Sequence, residues 1–126
     1  MNPVMTANLA SGAAVGNLGV LDLIGDTPNV DVSHLSPNPD VRLIAKLEMQ
    51  NPFGSVKDRI AKAMIEAAEK DGRLTAGQTI IEPSSGNTGI ALAAIARLKG
   101  YPIKILLPES VSVERRQMLQ IMGAEV

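Results

Sequence analysis

The chain has 126 residues, 45% of them hydrophobic, and 12 Lys and Arg against 13 Asp and Glu give a formal net charge of −1. That balance supplies no global field for nucleic acid or an anionic membrane, and no apolar run approaches the roughly 20 residues of a membrane span. No Cys rules out a disulfide framework, a thiolate nucleophile and a Cys-rich zinc site, and His34 alone leaves metal catalysis poorly supplied, so no metal site is expected. Aromatic residues are 2% of the chain, Phe53 and Tyr101, too few for a base-stacking surface.

Charge is uneven along the chain. Residues 1–41 hold four Asp and no Lys or Arg, a net of −4, while residues 42–126 hold all 12 basic residues and nine acids, a net of +3. The first 20 residues are small, apolar and Gly-rich, but the basic start of a secretory or mitochondrial leader is missing. The expectation is a cytoplasmic protein with an N-terminal arm over 1–20 and a folded region over 21–126.

Helical and extended patterns then alternate. Between Val41 and Met49, residues Val41, Leu43, Ala45, Leu47 and Met49 fall on one face of an expected strand, which Asn51-Pro52 ends. Ser55 is placed to cap a helix, with Asp58 three residues on as an acidic relative of the capping-box residue. Ile60, Ala63, Met64, Ala67 and Ala68 form its expected apolar stripe, and Asp71-Gly72 its end. A short strand over Thr79–Glu82, a polar loop over Pro83–Gly89 and an Ala-rich helix over Ile90–Lys99 follow, closed by Gly100. Ile103–Leu107 reads as another strand, and Ser112 caps a helix with Leu119 and Met122 inward and Gly123 at its end. Ala124-Glu125-Val126 looks like the start of one more strand.

Strand starts near 79, 103 and 124 are separated by 24 and 21 residues, the rhythm of βαβ units. Such units make parallel sheets whose ligands sit beyond the C-terminal strand ends. A chain that stops three residues into a strand reads as a fragment, because the parallel edge is left unpaired.

Two loops concentrate chemistry. In Asn51-Pro52-Phe53-Gly54-Ser55-Val56-Lys57-Asp58-Arg59 a lysine falls in the first helical turn, directly after a strand. An ammonium there is opposed by the positive end of the helix dipole, whereas the neutral amine that forms a Schiff base is not. A solvated helix-terminal lysine satisfies the same spacing, and Asp58 and Arg59 alone read as cap and ion-pair residues. In Glu82-Pro83-Ser84-Ser85-Gly86-Asn87-Thr88-Gly89, three hydroxyls, an amide and two glycines gather at a helix start. Such a start suits a carboxylate or phosphate, although an ordinary capped turn uses one or two of the same residues. Neither the Lys of a Walker loop nor G-x-G-x-x-G spacing is present.

These two stretches together resemble the cysteine synthase (O-acetylserine sulfhydrylase) and cystathionine β-synthase family, pyridoxal-phosphate enzymes of the tryptophan-synthase β-like fold. Ile24-Gly25-Asp26-Thr27-Pro28, Leu107-Pro108-Glu109-Ser110, Glu114-Arg115-Arg116 and Gly123-Ala124-Glu125 match as well, so the resemblance covers about residues 21–126. It implies a three-layer α/β fold around a parallel sheet, here truncated, and pyridoxal 5′-phosphate as cofactor. Lys57 matches the lysine that holds the cofactor and later moves the α-proton. Asn87 matches the asparagine bonded to the cofactor's phenolic oxygen. Ser84, Ser85, Asn87 and Thr88 match the loop that grips the substrate α-carboxylate. The implied reaction converts O-acetyl-L-serine and sulfide to L-cysteine and acetate in a homodimer, with no nucleic-acid or membrane partner. Cystathionine β-synthase chemistry, and an inactive fragment serving only as a binding module, are the alternatives.

Three residues depart from the family pattern. Ser84 stands where Thr is usual, Phe53 where a small residue is usual, and Asn29 where Leu is usual, so Asn29 needs a partner or an exposed site. The loop that cradles the cofactor phosphate and the partner of the pyridine nitrogen come later in such enzymes than residue 126.

Overall fold

The computed structural model describes residues 19–126, so the arm expected over 1–20 lies almost wholly outside the described residues. Elements follow in the order β1 (Asn29–Asp31), β2 (Ile44–Lys46), α1 (Lys57–Lys70), β3 (Ile80–Glu82), α2 (Asn87–Lys99), β4 (Ile103–Ile105) and α3 (Val113–Ile121). β3 and β4 pair in parallel with Ile80 opposite Ile103, and a further parallel bridge joins Lys104 to Glu125. The expected βαβ rhythm is therefore present, and the chain is α/β.

β1 and β2 form a separate antiparallel pair, Val30 opposite Ala45, which sequence patterning did not suggest. The strand expected over Val41–Met49 shrinks to Ile44–Lys46, and Glu48–Gln50 turns instead into a 3-10 helix. Met49 is 74% exposed and Val41 and Leu43 are also exposed, so the alternating face is not a core face. Asn29 meets the requirement for a polar residue by lying exposed in β1.

Helix α2 is the centre of the core. Its Ala91, Leu92, Ala93, Ala94, Ile95 and Ala96 are all buried. A run of alanines suits a helix covered all round, because small side chains let neighbouring elements approach its backbone. Ala61 and Ile65 of α1, Ile103 and Ile105 of β4, and Leu119 of α3 pack into the same cluster. Leu119 and Met122 face inward as expected. Gly100 takes φ +80° at the end of α2, where a residue without Cβ is least strained.

The stripe expected on α1 falls on the wrong face. Asp58, Ala61 and Ile65 are buried, while Ile60 and Met64 are 49% and 45% exposed. Ile60, Ala63, Met64 and Ala67 line one wall of an open groove of about 570 Å³, with Ile80 and Ile81 of β3 among its other walls. Asp58 lies on the buried face with Ala61 and Ile65, and its carboxylate holds the preceding loop through the Phe53 N–H.

Candidate active site

Beyond the end of β2, the chain is tied down before it reaches Lys57. Buried Asn51 accepts the Gly25 N–H at 3.0 Å and donates its amide to the Glu48 carbonyl and carboxylate at 2.8 and 2.9 Å. Asp58 accepts the Phe53 N–H at 2.6 Å, and its other oxygen, also buried, has no partner. Burial pushes the Asp58 carboxyl above its ordinary value, against the opposing pull of the Phe53 N–H. Ser55 is not the N-cap residue, a position Val56 takes, but its hydroxyl accepts the Lys57 N–H at 3.1 Å. The Phe53 ring packs against the core.

Lys57 is the first residue of α1 and is exposed. Its neighbours in sequence are differently employed: Lys46 donates to the Thr27 carbonyl and Lys62 to the Leu21 carbonyl, both at 2.9 Å. Among the described residues the Lys57 amine has no hydrogen-bond or ion-pair partner.

The second stretch follows β3. Helix α2 begins at Asn87, three residues earlier than patterning suggested, so Asn87, Thr88 and Gly89 form its first turn rather than a loop. Ser84 Oγ accepts the Gly89 N–H at 3.0 Å. A Cβ on Gly89 would stand 2.6 Å from the Ser84 carbonyl oxygen, so only glycine permits this approach. The Ser84 hydroxyl has no acceptor for its own proton among the described residues, so it can still donate. The N–H groups of Ser85, Gly86, Asn87 and Thr88 have no partner among the described residues, as expected at a helix start. Ser85 and Asn87 are exposed, and Ser84 and Thr88 half-buried.

The helix pair brings the two stretches to one end. Glu69, near the end of α1, accepts Lys99 Nζ at 2.7 Å and the Tyr101 hydroxyl at 3.0 Å at the end of α2. The helices, of 14 and 13 residues, pack together, so their first residues Lys57 and Asn87 share the opposite end. That end is also where β3 delivers the chain, beyond the C-terminal edge of a parallel sheet.

Sequence reasoning missed the supports of this site. Arg59 joins Glu48 and Thr27 behind Lys57, and a Cβ on Gly25, at φ +107°, would stand 3.3 Å from Arg59 Nη1. Thr27, Asn51 and Arg59 lie within the matched motifs and carried a signal; Glu48 looked like one more strand residue and carried none. Among the described residues no group of three or more acidic or His side chains could hold a metal, and no helix is long and apolar enough to cross a membrane.

A lysine-bearing helix start and a hydroxyl-rich helix start, on two packed helices around a parallel strand pair, belong to one α/β fold. Residues 20–126 match the family described as pyridoxal-phosphate dependent enzymes, and the chain belongs to that family. It is 53% identical over 105 residues to a cysteine synthase from a Flavobacterium strain and 49% identical over 107 residues to one from Staphylococcus aureus. Those matches take in 83% and 85% of this chain but 34% of each relative, so the chain spans about a third of the curated relatives' length. A solved cysteine synthase from Entamoeba histolytica superposes with a TM-score of 0.81 at 39% identity, covering 95% of this chain and 37% of that one. The fold is that of the tryptophan-synthase β-like enzymes.

Proposed function

We propose that this chain carries part of the active site of a cysteine synthase, which joins O-acetyl-L-serine and sulfide into L-cysteine and acetate. The observation that supports the reading is that Lys57 and Asn87 are the first residues of α1 and α2, two helices that pack together. On this reading residues 21–126 are the N-terminal part of the catalytic domain, and residues 1–20 an arm.

The donor set suits pyridoxal 5′-phosphate on the side it reaches: an exposed amine without a competing partner for the aldehyde, and an exposed amide for a ring oxygen. When bound, that cofactor supplies an electron sink for loss of the β-substituent and addition of a nucleophile. Lys57 would hold it covalently and, when free, would move a proton at the substrate α-carbon. Asn87 would donate its side-chain amide to the phenolic oxygen. Ser84, through the proton its hydroxyl keeps, and Ser85, Asn87 and Thr88, through hydroxyls and free N–H groups, orient the substrate carboxylate. The reading extends to a homodimeric cytoplasmic enzyme of cysteine biosynthesis, a transferase whose first half-reaction is a β-elimination of the lyase type.

Borohydride reduction after incubation with pyridoxal phosphate, followed by peptide mapping, tests it. The pyridoxyl group should appear on Lys57 and be lost in Lys57→Ala. Label on Lys46 or Lys62 at equal or higher yield would reject Lys57, because both of those amines are already bonded to backbone carbonyls.

A further inference from the structure

Among the described residues, the loop before α2 has one side-chain tether from outside it. Arg115, in the first turn of α3, donates Nη1 to the Ser85 carbonyl oxygen at 2.6 Å. The flanking groups are held internally: Ser84 by its Oγ bond from Gly89, and the Gly86 carbonyl by the Ile90 N–H at 3.3 Å. The Ser85–Gly86 peptide between them has no other bond among the described residues. Packing does not fix it either, since nothing lies within 4 Å of where a Gly86 Cβ would stand. A glycine on one side makes this peptide free to rotate as a plane.

In a planar trans peptide the carbonyl and the following N–H point in opposite directions. No peptide among the described residues is cis. A guanidinium that pins the Ser85 carbonyl therefore turns the Gly86 N–H away from α3. We propose that Arg115 is a positioning residue for carboxylate recognition: it holds the Ser85–Gly86 peptide in the one orientation that adds the Gly86 N–H to the other free donors at the start of α2. The inference rests on the proposed role of that helix start as the substrate-carboxylate site. Arg115 itself touches neither substrate nor cofactor. A planar fork with several donors suits a fixed carbonyl better than a mobile ammonium does.

The test uses the whole chain labelled with ¹⁵N, without cofactor. In Arg115→Ala the Gly86 amide signal should shift or broaden, while amides of Ile95 and Leu119 in the core stay in place. Arg115→Lys should restore part of the wild-type position, and should carry the comparison if the alanine variant loses its core signals. Titration with O-acetyl-L-serine, followed at the Asn87 and Thr88 amides, should show affinity about fivefold weaker in Arg115→Ala than in wild type, the effect of one lost donor. Reductive labelling of Lys57 should be unchanged. A Gly86 signal indifferent to Arg115→Ala overturns the proposal, and so does a perturbed Gly86 with unaltered affinity. If wild-type chain binds no O-acetyl-L-serine while Gly86 still responds, the tether stands and the substrate reading of the site falls.

Discussion

Arg59 grips Glu48 at two points, Nε to Oε2 at 2.8 Å and Nη2 to Oε1 at 3.0 Å, and the Thr27 hydroxyl completes the cluster by donating to Oε1 at 2.7 Å. The cluster links Thr27, before β1, and Glu48, after β2, to the helix that begins with Lys57. Its bidentate geometry gives orientation as well as attraction, so the first turn of α1 is held in register with the turn at Gly25-Asp26.

The Arg59 guanidinium first, and the Thr27 hydroxyl second, hold the Glu48 carboxyl at about 2, against an ordinary value of 4.5. The folded value is depressed, so its stabilising contribution is complete above pH 4.5 and is lost as pH falls toward 2. Thermal melts across that window should show Glu48→Gln with a flatter acid limb than wild type. Parallel limbs in the two proteins would remove Glu48 from the account of acid unfolding.

Asp58 should behave with the opposite sign. Burial raises its carboxyl above 3.8, so the native state keeps this proton better than the unfolded chain does. Its favourable contribution is complete below pH 3.8 and is lost as pH rises through the folded value. Asp58→Asn removes the ionisation and keeps an acceptor for Phe53, and should be less dependent on pH than wild type. Asp58→Ala leaves the Phe53 N–H without its acceptor and should cost about 1–3 kcal/mol in urea unfolding at pH 7. A cost near zero would show that the loop before Lys57 is held by Asn51 alone.

Two glycines should fail for different reasons. Gly89→Ala places a Cβ 2.6 Å from the Ser84 oxygen in a buried first turn, so backbone must move and about 1–3 kcal/mol should be lost. Gly100→Ala meets no atom within 4 Å and is strained only by its φ of +80°, for a loss of about 1 kcal/mol. Amide exchange separates them: only Gly89→Ala should alter protection at Ser84–Thr88. Equal effects on that loop would mean the close approach at Ser84 is not what selects glycine there.

Lys99→Ala removes the charged partner of Glu69 at the far end of the helix pair, where Lys99 Nζ lies 2.7 Å from Oε2. The Tyr101 hydroxyl retains its bond to the other oxygen, so the loss should stay below about 1 kcal/mol. Chemical denaturation measures it, and a loss several times larger would show that this end alone sets the helix packing.

Local sequence determined the chemistry-bearing loops and most helix ends. Gly100 and Gly123 stop their helices because few other residues tolerate positive φ, and Ser84 to Gly89 marks a helix start because hydroxyls and glycine suit unbonded N–H groups. The parallel pairing of β3 and β4 followed from spacing, since a crossover helix permits little else. Which face of α1 is buried could not be read from apolar residues, because Ile60 and Met64 compose as good a stripe as Ala61 and Ile65. The buried face is the one where Ala61 and Ile65 meet α2, β4 and α3 and where Asp58 finds the Phe53 N–H, partners that lie elsewhere in the chain. The strand at Val41–Met49 failed for a related reason: Ile44–Lys46 pairs with the three residues of β1, Leu43 and Leu47 add one flanking backbone bond each, and Glu48 turns out of the ladder toward Arg59 and Thr27. Propensity and alternation act over neighbours in sequence; the rotation of a helix and the length of a strand depend on partners distant in sequence, which only the folded chain brings within bonding distance.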